Sequence, residues 1–394
     1  MERLFSHRIV SLSPSPTLAL NSKAAELAAT GKKIFNFAVG EPDFSTPEAV
    51  VEIAIDSLRK GRTRYGTSGG GKPLRDAVAA KLQRDNGLHF AIDEIVCGIG
   101  AKEILFHVFL ALLNDGDEVL LPAPYWVSYT DQIRAAGGIP VTIAPPASLI
   151  IPNGEAIDFI GLERAVTPRT RAIVINSPNN PSGYVLGQAE LEKLAAFALK
   201  HKIWVIADEI YEYMAFERPH TSLLTICPEL RSQFILINGL SKGFAMTGWR
   251  VGYAAGPKDA MALVRNLESH SSTCIPGFIE DAATYALTQG KSLMANSIAT
   301  LDHRRKLTMT ALEGFDFARP DGAFYVFLDV RNLCNSHTTM AISGLLMEAG
   351  VAVVPGEAFG VPGFLRISYT LAEQELLAGL ERIKKFLRQF EEKA

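Results

Sequence analysis

Cysteine is scarce in this chain. The four present, Cys97, Cys227, Cys274 and Cys334, stand singly, with no CxxC pair and no adjacent histidine, so neither a disulfide framework nor a metal cage is expected. A surplus of one charge is missing too: Lys and Arg number 39, Asp and Glu 42, and the net charge is −3. That near-balance offers no general attraction to nucleic acid or anionic lipid. Long apolar runs are also lacking. The most apolar stretch, "ILFHVFLALL" at 104–113, is about half as long as a bilayer crossing and reads as a buried helix. The opening "MERLFSHRIV" has neither the apolar core nor the cleavage site of a signal peptide, so reduced thiols and a cytoplasmic location are expected. No internal repeat or low-complexity linker interrupts the chain, which favours packed over tethered parts.

What is present is enough for a sizeable core. A chain of 394 residues with 48% hydrophobic content can build one large domain and a smaller one. Between roughly 46 and 285, apolar runs such as "DEIVCGIG", "DEVLLPAP", "RAIVINSP", "KIWVIADE" and "RVGYAAGP" alternate with helical stretches such as "QAELEKLAAFALKHK". That is the pattern of buried parallel strands with crossover helices, an α/β fold. Beyond it the texture changes. "NSIATLDHRRKLTMTALEGF" leads to "GAFYVFLDV", "VAVVPGE" and "FLRISY", then to a charged final helix "EQELLAGLERIKKFLRQFEEK", as in a smaller α+β domain.

Two stretches look like phosphate sites. "GTSGGGKP" at 66–73 has the glycine and lysine spacing of a P-loop, but Pro73 stands where Ser or Thr would hold a metal, and the preceding "LRKGRTRY" is too charged for a buried strand. A nucleotidase is therefore not expected. "DEIVCGIGAKEILFHVFLALL" reads as strand, glycine turn and apolar helix, which puts the amides of Gly100, Ala101 and Lys102 at a helix N-terminus. Unpaired N–H groups and the helix dipole favour an anion there.

In an open parallel sheet, ligands bind beyond the carboxyl ends of the strands. Those ends carry Gly100, Trp126, Asn180, Asp208 with Tyr211, and Lys242 with Arg250. Lys242 lies in "NGLSKGFAMTGWRVGY", just after the strand-like "QFILI", where a lysine either snorkels to water or gives up its charge to a task. The residue types form one chemical set. A phosphate needs a helix N-terminus and an arginine, a flat ring an aromatic, an aldehyde a lysine, a pyridine nitrogen a carboxylate, and a phenolate oxygen donors from Tyr and Asn. The set describes pyridoxal phosphate held by Lys242 as a Schiff base.

"NSPNNPSG", "ADEIYE" and "SKGFAMTGWRVGY" closely resemble the fold-type I pyridoxal-phosphate transferases, in particular the bacterial branch of the aspartate aminotransferase family (class I/II). The resemblance runs from "GEPDFSTP" through "FLRISY". It implies a large cofactor domain at 46–285 with a mostly parallel sheet flanked by helices, and a small domain made from 1–45, including an N-terminal arm, and 286–394. It further implies a homodimer with shared active sites that moves the amino group of an L-amino acid to a 2-oxo acid such as 2-oxoglutarate by a ping-pong reaction.

By the same resemblance Lys242 carries the cofactor and moves the proton at the substrate Cα, Asp208 keeps the ring nitrogen charged, and Tyr211 and Asn180 bond the ring oxygen. Trp126 covers a ring face. Arg250 and the Gly100, Ala101 and Lys102 amides hold the phosphate, and Tyr65 reaches the neighbouring subunit's phosphate. Arg366 alternates with Leu365 and Ile367; the plain alternative for it is a solvated sheet face, whereas the resemblance gives it the substrate α-carboxylate, over which the Gly40 backbone closes.

For the substrate's distal end, the animal-type relatives use an arginine in the segment matching "ESHSSTCIPG", and none is there. By the same resemblance the bacterial branch uses a Ser/Thr pair, matched by Ser15 and Thr17, and in some members a basic residue whose place falls at Leu110. Aspartate-like or broad specificity is expected. The alternatives are an aromatic or other amino acid aminotransferase and a lyase or synthase of the same fold. A non-catalytic regulator would need an added DNA-binding module, and fewer than 40 residues precede "NFAVGEPDF".

Overall fold

The computed structural model describes residues 5–150, 154–334 and 337–391. Among them the chain forms a short helix His7–Val10, the helix Pro16–Ala29 and a short strand β1 (Phe35–Asn36), then the helices Glu48–Arg59 and Lys72–Asn86. Seven strands follow: β2 (Ile95–Gly98), β3 (Glu118–Pro122), β4 (Ile139–Ile143), β5 (Thr170–Asn176), β6 (Trp204–Asp208), β7 (Phe234–Gly239) and β8 (Gly252–Ala255). They make one sheet in the order β2-β8-β7-β6-β5-β3-β4.

Apart from the edge strand β4, the strands are apolar on both faces, so the sheet is buried on both. Leu120, Ile173, Ile175, Val205 and Leu236 point into one core with the helices Lys72–Asn86, Gln188–His201 and Gly277–Gln289. Their alternates Val119, Leu121, Val174, Ile206 and Ile235 point into the other, with Ala101–Leu112 and Lys258–His270. The stretch 104–113 is thus the buried helix its composition indicates.

The expectation of parallel strands fails at "RVGYAAGP". β8 is antiparallel to both β2 and β7. A parallel return needs a crossover of a dozen or more residues, usually a helix, and residues 240–251 hold turns but no helix. The reversal has a use: a connection between antiparallel neighbours begins and ends at one end of the strands, here the carboxyl end of β7, so Lys242 and Arg250 emerge together. β4, at the opposite edge, escaped the sequence reading because Pro140 and exposed positions blur its pattern.

Later residues form β9 (Phe317–Ala318), β10 (Tyr325–Asp329), β11 (Val351–Ala352), β12 (Val354–Pro355) and β13 (Phe364–Ser368). A four-stranded sheet runs β12-β13-β10-β9, and β1 pairs in parallel with β11. The final helix, Glu373–Glu391, lays Leu376, Leu380, Ile383 and Leu387 into this core at helical spacing; residues 392 and 393 of the expected helix lie outside the described residues, as do residues 1–4 of the opening segment. Among the described residues no helix is long and apolar enough to cross a membrane.

Candidate active site

A cavity of about 440 Å³ lies where β6 and β7 end, against the Pro16–Ala29 helix and β13. It gathers Thr17, Gly40, Ala101, Lys102, Trp126, Asn180, Asp208, Tyr211, Lys242, Arg250 and Arg366 from the sequence-derived set.

The anion cradle is built by close approach. Gly98 pairs with Gly252 in the sheet, and a Cβ on Gly252 would fall 2.0 Å from the Ala101 nitrogen. Only glycine lets the strand meet the start of the Ala101–Leu112 helix so closely. Gly100, with φ of 88°, caps that helix, and a Cβ there would lie 2.4 Å from Arg250 Nη2. The Arg250 guanidinium donates to the Thr247 carbonyl at 2.9 Å. At the rival stretch 66–73, the Gly71 amide instead donates to Glu280 Oε1 at 2.8 Å, so a carboxylate already holds that helix start.

Asp208, the last residue of β6, is buried. Burial pushes its carboxyl up to about 6, against hydrogen bonds from the Tyr129 hydroxyl at 2.7 Å and the Ile210 amide at 3.2 Å. Lys242 is half-buried and donates to the Gly40 carbonyl. Burial lowers its ammonium to about 8; Glu41 opposes that, and the positive Arg366, Arg250 and Lys102 reinforce it. A poised amine thus stands across a cavity from a poised carboxyl, as sites for proton transfer require.

Arg366 is 2% exposed, which overturns the solvated sheet face. The alternation with Leu365 and Ile367 holds, but β13 lies between β12 and β10, and the face opposite those residues is the cavity wall. Arg366 Nη1 donates to Asn180 Oδ1 at 3.1 Å and Nη2 to the Ala38 carbonyl at 2.8 Å, while Nε has no partner. Its guanidinium sits 4.5 Å from the Tyr325 ring centre. Tyr211, buried, is 3.5 Å from Asn180 Nδ2 and 3.1 Å from the Tyr325 hydroxyl.

Four sequence-derived residues are placed differently. Gly100 shapes the cradle from behind. Ser15 stands 3.0 Å from the Thr17 hydroxyl, outside the cavity. Tyr65 is 90% exposed and away from it. Leu110 is 37% exposed near the far end of its helix and lines none of it.

Sequence reasoning missed Tyr129, Asn176, Glu41, Thr247 and Tyr325. Asn176 ends β5 and could have been found by the strand-end rule. Tyr129 lies in the first turn of the helix Ser128–Ala135, three residues after the cavity-lining Trp126. Tyr325 carries no local signal, because it reaches the site only through the pairing of β10 with β13. The side chain of Lys102 was also overlooked. It stands at the rim, 4.9 Å over the Trp126 ring, and burial followed by Arg250 lowers its ammonium.

Residues 32–383 match the family described as aminotransferase class I and II. The chain belongs to that family. This aminotransferase is 41% identical to a probable aspartate/prephenate aminotransferase of Aquifex aeolicus, over 99% of this chain and all of the relative. It is 39% identical to an aspartate aminotransferase of Bacillus sp. strain YM-2, over 98% of this chain and all of that one. The aspartate aminotransferase of Thermus thermophilus, solved with maleate, superposes with a TM-score of 0.91 at 38% identity, covering 98% of this chain and all of its own. As an aminotransferase of this family the chain acts on amino acids and 2-oxo acids, and the aminotransferase reading is favoured over the lyase or synthase.

Proposed function

We propose that this aminotransferase uses pyridoxal 5'-phosphate, prefers an L-aspartate-like dicarboxylic amino donor, and works as a cytoplasmic homodimer. The observation that carries the reading is the single cavity joining Lys242, Asp208, Tyr211, Asn180, Trp126, Arg250 and Arg366.

The residues fit the cofactor. The cradle at Gly100 and Ala101 with Arg250 suits a phosphate, a carboxyl stands ready for a ring nitrogen, and the cavity has room for a flat ring beside Trp126. When bound, pyridoxal phosphate supplies an electron sink for the bond broken at the amino acid's Cα. Lys242, half of it neutral near pH 8, would take the aldehyde and later hold the proton at Cα. Asp208 would keep a proton on the ring nitrogen, and Tyr211 with Asn180 would donate to the ring oxygen. Arg366, whose Nε lacks a partner, would grip the α-carboxylate two-pronged, under the Gly40 backbone. Tyr65 would meet the phosphate of a second subunit. Residues 46–285 would form the large domain, and 1–45 with 286–394 the small one.

The dicarboxylate preference rests on Thr17, held near Ser15, and on the Lys102 ammonium at the rim. Two kinds of relative support it: those described as acting on aspartate or prephenate, and one solved with maleate, itself a dicarboxylate. The test is a half-reaction screen in which each amino acid is mixed with the holoenzyme and the cofactor's absorbance is followed. Aspartate and glutamate should convert it fastest. A screen in which aromatic or aliphatic donors lead would overturn the preference, and release of ammonia would overturn the transfer.

A further inference from the structure

Asp208 has two donors, and they differ. The Ile210 amide comes from the next turn of the same segment at 3.2 Å, a long contact. The Tyr129 hydroxyl comes from another element, the helix Ser128–Ala135, and reaches Asp208 Oδ2 at 2.7 Å, the length of a charge-assisted O–H···O⁻ bond. Tyr129 is 1% exposed, and its ring meets the Trp126 ring edge-on, with 5.4 Å between centres. The turn that leads into this helix carries Trp126, whose carbonyl accepts from the Tyr129 amide at 3.1 Å: Trp126 lines the cavity, and Tyr129 stands behind the carboxylate.

We infer that Tyr129 is a positioning residue, whose hydroxyl holds the Asp208 carboxylate ionised and turned to the cavity. The inference rests on the reading of Asp208 as the partner of the cofactor's ring nitrogen.

The charged and titratable groups around Asp208 make this bond matter. Glu209, next in the chain, pushes the carboxyl up; Lys242, from the loop after β7, pulls it down; Tyr211 is buried nearby. Burial outweighs them all, so the largest counterweight to protonation is the Tyr129 bond. Tyr129 is well suited to that part: burial and then Asp208 itself raise its phenol well above the ordinary value, which keeps it a donor at every working pH. The bond also works through geometry. With one oxygen held from behind, the carboxylate loses the freedom to turn, and a group fixed in place before reaction saves the cost of ordering it later.

Tyr129→Phe deletes the hydroxyl and keeps the ring against Trp126. The direct readout is ¹³C NMR of the apoenzyme labelled at aspartate carboxyls, with the Asp208 signal assigned by its loss in Asp208→Asn. Losing one charge-assisted bond should raise the titration midpoint by about one pH unit or more. In the reconstituted variant kcat should fall about tenfold, with KM within about twofold. A variant that keeps the wild-type midpoint and turnover, with an unchanged melting temperature, overturns the inference and leaves Tyr129 a core aromatic. Asp208→Ala separates the two claims. If it reacts at the wild-type rate, the reading of Asp208 itself fails; if it is crippled while Tyr129→Phe titrates and turns over normally, only the role of Tyr129 fails.

Discussion

The Lys242 ammonium donates to the backbone carbonyl of Gly40, a residue 202 positions earlier in the chain. The bond joins the end of β7 to the segment that leaves β1, so the two sheets meet across the cavity at this lysine. The same segment accepts from Arg366 at Ala38 and from Thr247 at Glu41. Residues 38–41 thus form a wall held by Thr247 and by two groups the reaction would use, Lys242 and Arg366.

For Lys242 the expected outcome is covalent labelling. Borohydride reduction of the holoenzyme followed by peptide mapping should place the cofactor on Lys242, and Lys242→Ala should bind it without covalent attachment or turnover. Because the ammonium is lowered to about 8, the apoenzyme's rate of capturing the aldehyde should rise through a midpoint near pH 8, well below that of an ordinary lysine. A label on another lysine would end the assignment.

Asp208 yields a prediction about stability. Its carboxyl is raised to about 6, so the fold prefers the protonated form. That preference supports the folded state in full below the ordinary value near 4 and is lost as pH rises through 6. A carboxyl held near 6 instead of near 4 costs about 3 kcal/mol once ionised. Asp208→Asn should therefore stabilise the apoenzyme in urea unfolding at pH 8, by up to about 3 kcal/mol, with the gain vanishing by pH 4, while slowing the half-reaction by orders of magnitude. An equal stability difference at both pH values would refute the linkage.

Tyr65 allows a test of the shared site. At 90% exposure and outside the lining of its own cavity, its side chain is open to a second copy. Lys242→Ala and Tyr65→Ala homodimers should each be impaired. Unfolding and refolding the two together should recover about a quarter of the wild-type sites, because half the dimers are then mixed and one site in each is intact. No recovery in verified mixed dimers would confine Tyr65 to its own subunit.

Much of this site was legible in the chain because the fold puts chemistry at strand ends. Asn180, Asp208 and Lys242 end or follow apolar runs, and a run of that kind in a parallel sheet points its end at the ligand; Arg250 instead precedes β8 and arrives by the antiparallel connection. What could not be read depended on pairing between distant strands. The burial of Arg366 and the place of Tyr325 are set by the register of β13 against β10, and alternation alone tells which residues share a face, not what covers it. The antiparallel β8 was hidden for a similar reason: its residues are as apolar as those of its neighbours, and only the missing crossover helix distinguishes it.

The substrate's distal end provides the sharpest test between family resemblance and geometry. The family resemblance put the basic residue of some relatives at Leu110, and the structure sets that side chain outside the cavity, 37% exposed. Lys102, eight residues earlier on the same helix, stands at the rim over Trp126. Removing its ammonium with Lys102→Met keeps the backbone amide that the cradle needs, so cofactor affinity should hold while dicarboxylic donors suffer. The ammonium is partly open to solvent, which screens its pull, and the loss should be about 1 kcal/mol, roughly a fivefold fall in kcat/KM for aspartate relative to phenylalanine. Leu110→Lys should leave that ratio within about twofold, since a charge outside the cavity and in contact with water is screened. The reverse result, a strong gain for aspartate in Leu110→Lys and none lost in Lys102→Met, would mean that the outer face of this helix meets substrate. Only a neighbouring subunit's cavity could bring the two together.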